Sequence, residues 1–282
     1  MDKKIVNTRI GNYLCIPFFI CYNLDMDKEL FLSVSEKIFN EYKERKIIGM
    51  LAEKNVHSII KHYLEQDKNY HEVKVGSFYA DIKKENHIYE VQTRSFDKLR
   101  AKLDAFLEKY DVTIVYPIDH KKWILWINKD TGLVEQKNLS KHTGNINHIF
   151  KELYKIKAYL NNPRLHLKIL LIDLEETRIL DGYSKDLKKG SSKLNKYPLD
   201  LFNEVDIYNL CDYRLFIPGD LPSHFTSKDY AKLAKITKSD AQIALNVLTY
   251  LDIVNRVGKH GKSYIYQVNE CLIKYKSVEK II

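Results

Sequence analysis

The chain has 282 residues, enough for a sizeable core and for about two domains. Its 46 Lys+Arg against 37 Asp+Glu leave a net charge of +9, which suits a nucleic-acid partner, although a chain so rich in Lys, Ile, Asn and Tyr also reads as the product of an AT-rich genome. The four cysteines, Cys15, Cys21, Cys211 and Cys271, show no CxxC pair and no zinc-ligand spacing, which excludes a disulfide-stapled scaffold and a zinc ribbon and points to a reducing cytoplasm.

The apolar run Leu14 to Tyr22 is interrupted by Pro17 and falls far short of the roughly 20 residues of a membrane helix. No small-residue cleavage site follows it, so a strand or buried segment is expected. Between Asp27 and Arg45, Leu30, Phe31, Val34, Ile38, Phe39 and Tyr42 recur at helical spacing, predicting an amphipathic helix for packing or dimerisation. After Gly49, a second helix carries Ala52, Val56, Ile59, Ile60 and Tyr63 as its buried stripe. Glu53 lies at the border of that stripe, and His57, one turn on, reads as a solvated surface histidine. HEVKVG, residues 71–76, reads as a strand.

From Phe78 to Arg94 the chain runs FYADIKKENHIYEVQTR, two short strands about a tight Glu-Asn turn. Side chains alternate along a strand, with Asp81 on the face of Tyr79 and Lys83 and Glu90 on the face of Gln92, and if the hairpin brings those faces together the two carboxylates converge. Two adjacent carboxylates repel unless a cation sits between them, and an all-oxygen set suits a hard ion, Mg²⁺ or Mn²⁺. Ser95 to Tyr110 then reads as a capped amphipathic helix and Val112 to Ile118 as a buried strand. VTIVYPIDHKKWILWIN, residues 112–128, reads as a β-hairpin turning at Asp119-His120, with Trp123 and Trp126 in the core or on the sheet. A polar loop with Lys141, His142 and Asn145 precedes a helix from about Asn147, and Leu165 to Leu180 is a buried strand. Residues 181–197 read as a flexible basic loop, Pro198 to Leu210 as a short helix, and Phe216 to Pro222 as a connector.

Asp81 followed by Glu90-Val91-Gln92 resembles the D…(D/E)xK signature of the PD-(D/E)XK nuclease superfamily, whose members include restriction endonucleases and Holliday junction resolvases. Order extends the resemblance over roughly Ile47 to Ile118: a helix with Glu53, three strands, a helix and a strand. It implies an α/β fold, a restriction-endonuclease-like mixed sheet flanked by helices. The implied metal ligands are Asp81, Glu90, the main-chain carbonyl of Val91 and Glu53, with Gln92 positioning water. Gln92 stands where the signature has lysine, and Lys83 and Lys74 are the replacement cations expected from sequence, ahead of Lys54 and Arg94.

The segment from Phe225 to Val268 resembles a winged helix-turn-helix. Thr226 or Ser227 caps one helix and Thr237 the next, around a turn at Lys235-Ile236. The second helix would offer Lys238, Ser239, Gln242 and Asn246 to a DNA groove. The wing would offer Arg256, Lys259, His260 and Lys262 to phosphates. Asp252 stands where a glycine usually ends the helix.

The sequence thus divides into an N-terminal extension (1–46), a nuclease-like domain (47–180), a basic linker and connector (181–222) and a winged-helix domain (223–282). Together they predict a cytoplasmic, Mg²⁺- or Mn²⁺-dependent DNA endonuclease acting on duplex or branched DNA. By family analogy it is a homodimer, since cutting both strands needs two sites. The alternative is a non-catalytic DNA-binding or regulatory protein on a degenerate nuclease fold, and a third class is a protein-interaction module.

Overall fold

The structure, a computed structural model, describes residues 8–10, 13–16, 20–23, 26–44, 52–182 and 190–269. At the N-terminus, β1 (Thr8–Ile10), β2 (Tyr13–Ile16) and β3 (Ile20–Asn23) pair antiparallel as a small sheet, so the described parts of the apolar run, 14–16 and 20–22, are strand, while Pro17 lies outside the described residues. Two helices follow, α1 (Lys28–Glu44) and α2 (Ala52–Leu64). Among the described residues, no helix is long and apolar enough to cross a membrane.

The main sheet begins with an antiparallel meander of β4 (His71–Val75), β5 (Phe78–Lys84) and β6 (His87–Val91). After a 3₁₀ turn and α3 (Arg100–Phe106), β7 (Asp111–Asn128) returns parallel to β6. β8 (Val134–Leu139) folds back on the far half of β7. A helical stretch, 3₁₀ at both ends with α4 (Phe150–Leu153) between, leads to β9 (Leu165–Leu180), parallel to β7, and β10 (Ser191–Ile207) closes the sheet antiparallel to β9. The spatial order is β10-β9-β7-β6-β5-β4, with β8 beside β7.

Helices cover both faces. On one, Phe31, Val34 and Ile38 of α1 and Val56, Ile59 and Ile60 of α2 bury against Val91, Val115, Leu170, Ile172 and Leu201. On the other, α3, α4 and the C-terminal helices pack on Ile88, Val112, Ile114, Leu167 and Ile169. The expected mixed α/β sheet flanked by helices is therefore present.

Two sequence expectations fail here for identifiable reasons. The hairpin expected at Asp119-His120 is one continuous strand, with a β-bulge at His120 and Lys121. His120 and Lys121 on β7 oppose the single Asp173 on β9, whose Oδ1 accepts from His120 Nδ1 at 2.7 Å and from the Lys121 N–H at 3.0 Å. A side-chain carboxylate thus takes up the donor that the bulge frees from the ladder. The flexible loop at 181–197 and helix at 198–210 give way, over the described part, to β10. Its lysines are absorbed by carboxylates on neighbouring strands: Lys196 reaches Asp119 at 3.0 Å and Lys193 lies 3.9 Å from Glu176. Pro198 sits at a register irregularity of a strand at the sheet edge, where its missing donor is tolerated.

After a 3₁₀ helix (Leu210–Phe216), α5 (Ser227–Leu233) and α6 (Lys238–Tyr250) meet at a tight turn, and β11 (Val254–His260) pairs with β12 (Ser263–Val268). Thr226 caps α5 in a capping box with Asp229, and Thr237 caps α6. Tyr230, Ala234, Ala241, Ala244, Leu245 and Leu248 are buried as expected from their spacing. Asp252, with φ +56°, takes the left-handed conformation that a glycine would adopt there.

Candidate functional site

Regular pairing of β5 with β6 runs only from Lys84↔His87 to Ile82↔Tyr89. The next pair would be Asp81 and Glu90, and there side chains replace the ladder. The Asp81 N–H donates to Glu90 Oε1 at 3.3 Å, and the Val91 N–H donates to Asp81 Oδ2 at 2.8 Å. Each carboxylate reaches across to the other strand's backbone, so the strands part into a fork with both acids at its root. β6 is held on its other side, because Val91 pairs with Val115 and the Gln92 N–H donates to the Val115 carbonyl at 2.9 Å.

Two basic side chains that the sequence reading did not assign to the site serve this pair. Lys102, on α3, donates to Glu90 Oε2 at 2.8 Å. His57, on α2, lies with Nε2 3.2 Å from Asp81 Oδ2, so it is a partner of the site and not the solvated surface histidine expected. Neither expected replacement lysine takes part: Lys83 Nζ donates to the Glu85 carbonyl and lies over the Tyr110 ring, while Lys74 is exposed on β4. The side chains of Glu53 and Lys54 lie outside the described residues, although Glu53 is in the first turn of α2, as expected.

Electrostatics sets the two acids apart. Burial, reinforced by the neighbouring Asp81 charge, pushes the Glu90 carboxyl up to about 7 against the pull of Lys102. Burial also works against ionised Asp81, but the hydrogen bond and charge of His57 and the Val91 N–H outweigh it and hold that carboxyl below its usual range. At neutral pH, one acid is firmly ionised and the other is poised. Gln92 is oriented by its own amide, Nε2 donating to the Ser95 carbonyl at 2.7 Å. Its Oε1 is left without a protein partner among the described residues, as is Asp81 Oδ1.

Among the described residues, no group of three or more His, Cys, Asp or Glu is arranged to hold a metal ion. Mg²⁺ commonly takes only one or two carboxylates and fills its octahedron with water. The carboxylates of Asp81 and Glu90 are oxygen donors of that kind.

The C-terminal residues singled out from sequence divide into two groups. Lys238, Ser239 and Gln242 are exposed on α6, and Arg256, Lys259, His260 and Lys262 are exposed on the β11–β12 hairpin. There Arg256 and Lys259 both lie over the Tyr264 ring, at 4.5 and 4.7 Å. Asn246 instead accepts from Lys157 Nζ at 3.1 Å and faces the sheet domain. Of the loop residues Lys141, His142 and Asn145, the first two are exposed, while the loop's end is anchored: the Gly144 N–H donates to the His120 carbonyl and Asn145 Nδ2 donates to the Ala234 carbonyl.

Fold and site together define a three-layer α/β protein with a carboxylate pair at a split between two strands. The profile of the family described as "Domain of unknown function (DUF8091)" matches residues 54–208, more than half of the chain, and the chain belongs to that family. The match spans α2 to β10 and includes Asp81, Glu90 and Lys102. An uncharacterized protein of Treponema pallidum (strain Nichols) is 24% identical over 221 residues, covering 78% of this chain and 87% of the relative. No solved structure matches the chain with significance.

Proposed function

We propose that the chain is a divalent-metal-dependent DNA endonuclease of the PD-(D/E)XK type, with the C-terminal helices and hairpin acting as a winged helix that grips DNA. The observation that carries this reading is the fork at Asp81 and Glu90, where two acids are held at the parting of β5 and β6 with a lysine against one of them. Asp81 and Glu90 would hold Mg²⁺ or Mn²⁺, with the Val91 carbonyl and Glu53 as further ligands. A bound divalent ion would supply an activated water and neutralise charge on the phosphodiester. Lys102 takes the part of the lysine missing at Gln92, a fixed positive charge beside the acids that meets the phosphate's growing negative charge. Gln92 is tied down through its amide nitrogen, and its oxygen would hold a water. His57 and the Val91 N–H keep Asp81 ionised and pointed into the fork. Arg256 and Lys259, stacked on Tyr264, suit phosphate contacts along the duplex.

A second reading has its own observation: Glu90 is already met by Lys102 and Asp81 by His57, so the pair is balanced by internal partners. That favours a DNA-binding or regulatory protein on a nuclease-like scaffold. Incubation with supercoiled, linear and four-way-junction DNA, with Mn²⁺, Mg²⁺ or EDTA, separates the two. The endonuclease reading expects metal-dependent nicked, linear or resolved products, lost in Asp81→Ala. Salt-sensitive binding without scission under every condition would replace it with the second reading.

A further inference from the structure

β6 flanks the first half of β7 and β8 flanks its last part, leaving residues 116–121 without a strand on that side. A cavity of about 670 Å³ opens at this gap, walled by Thr93, Tyr116, Lys122, His142, His148, Lys151 and, from the α5–α6 turn, Lys235 and Thr237. Its wall is built, not incidental. Gly144 lies so close to β7 that an added Cβ would come within 2.2 Å of the Asp119 carbonyl oxygen, and Asn145 ties the same loop to Ala234.

The charges in the cavity are unevenly spent. Asp119 is held by Lys122 at 3.3 Å and Lys196 at 3.0 Å, and Asp240 by Lys151 at 2.9 Å. Burial and the neighbouring His142 depress the His148 pKa, which favours the neutral imidazole. Lys235 alone has no carboxylate partner among the described residues. It also stands in the left-handed region, at φ +52°, where lysine is a strained choice and glycine an easy one. An exposed lysine on a strained turn, lining the same cavity as Thr93, Thr237 and two imidazole rings 5.0 Å apart, suits an anionic group attached to a planar ring.

We infer that this cavity binds a phosphate ester of nucleotide size, with the phosphate at Lys235 and the base against His142 and Tyr116. The volume falls in the range of roughly 300–1,000 Å³ usual for small-ligand pockets. The site is independent of cleavage, since Asp81 and Glu90 do not line it. It could be filled by a free nucleotide or by one end of a nucleic-acid strand.

Calorimetric titration of the full chain with inorganic phosphate, with nucleoside monophosphates and with 5′-phosphorylated dinucleotides tests this. Saturable binding of a nucleotide probe is expected, weakened at least tenfold in Lys235→Gly and in His142→Ala and unchanged in Asp81→Ala. Lys235→Gly is the key variant because it removes the charge while easing the backbone, so loss of binding is not loss of fold. Binding of monophosphates points to a free nucleotide, and binding of dinucleotides alone points to a strand end. Absence of saturable binding by every probe, or binding that Lys235→Gly and His142→Ala leave intact, overturns the inference. Loss of DNA cleavage in Asp81→Ala with nucleotide binding retained would keep this site apart from the proposed catalytic one.

Discussion

Replacing Glu90 with glutamine should make the protein more stable, and increasingly so as the pH rises. Glu90 is only 2% exposed, and its carboxyl, ordinarily near 4.5, titrates at about 7 in the fold. Because the folded value lies above the unfolded one, the stabilising contribution is present in full below the unfolded value and is lost as pH rises through about 7. At about 1.36 kcal/mol per pH unit, the ionised side chain costs the fold about 3 kcal/mol at pH 8.5 relative to its protonated form. Glu90→Gln preserves the shape of the protonated acid and cannot ionise. The variant should therefore exceed the wild type by up to about 3 kcal/mol at pH 8.5, on the order of 6–12 °C in Tm for a chain of this size, and by under about 1 kcal/mol near pH 4.5. Asp81, held low, acts in the opposite sense: its contribution is present above its unfolded value and is lost as pH falls through its folded one. The acid limb of the profile should accordingly survive in the variant. Urea unfolding followed by circular dichroism from about pH 2 to 9 measures both limbs. A stability gap that stays flat with pH, or a variant weaker than the wild type at pH 8.5, would refute the placement of Glu90 in a buried acid pair.

Lys102→Ala should strip Glu90 of its counter-charge and lower stability by about 1–2 kcal/mol at pH 8 with little effect at pH 5, a difference visible in the same unfolding series. Gly144→Ala forces a Cβ onto the Asp119 carbonyl and should cost about 2–3 kcal/mol in urea midpoint experiments, while alanine at the open Gly219 shows no such steric cost. Arg256→Ala and Lys259→Ala should each flatten the slope of log affinity against log salt for duplex DNA by about 1, measured by fluorescence anisotropy. Neutral slopes in both would mean that the hairpin does not touch phosphate.

What could be read in the sequence was local and periodic. The buried positions of α1 and α2 and the caps Thr226 and Thr237 follow from spacing, while the meeting of Asp81 with Glu90 was an expectation conditional on how the hairpin pairs. Long-range charge pairing was not legible. Lys102 lies twelve residues beyond Glu90 on a different element, and only its place beside buried Leu103 hinted that it reaches the sheet. His57 looked solvated because the helix pattern does not say which strand carries an acid opposite it. β10 was hidden for the same reason: its lysines read as a solvated loop until Asp119 and Glu176 on neighbouring strands are in view. The bulge in β7 mimicked a turn because proline, aspartate and histidine serve both, and the carboxylate that completes it sits far along the chain at Asp173.

The account rests on the fork between β5 and β6 being an ion-binding site, and calorimetric titration of the metal-free protein with Mn²⁺ examines that most directly. Saturable binding at one or two sites is predicted, abolished in Asp81→Ala and sharply weakened in Glu90→Ala, with both variants folded by circular dichroism. Mn²⁺ heats indistinguishable from buffer dilution, or a binding curve that Asp81→Ala leaves unchanged, would contradict it.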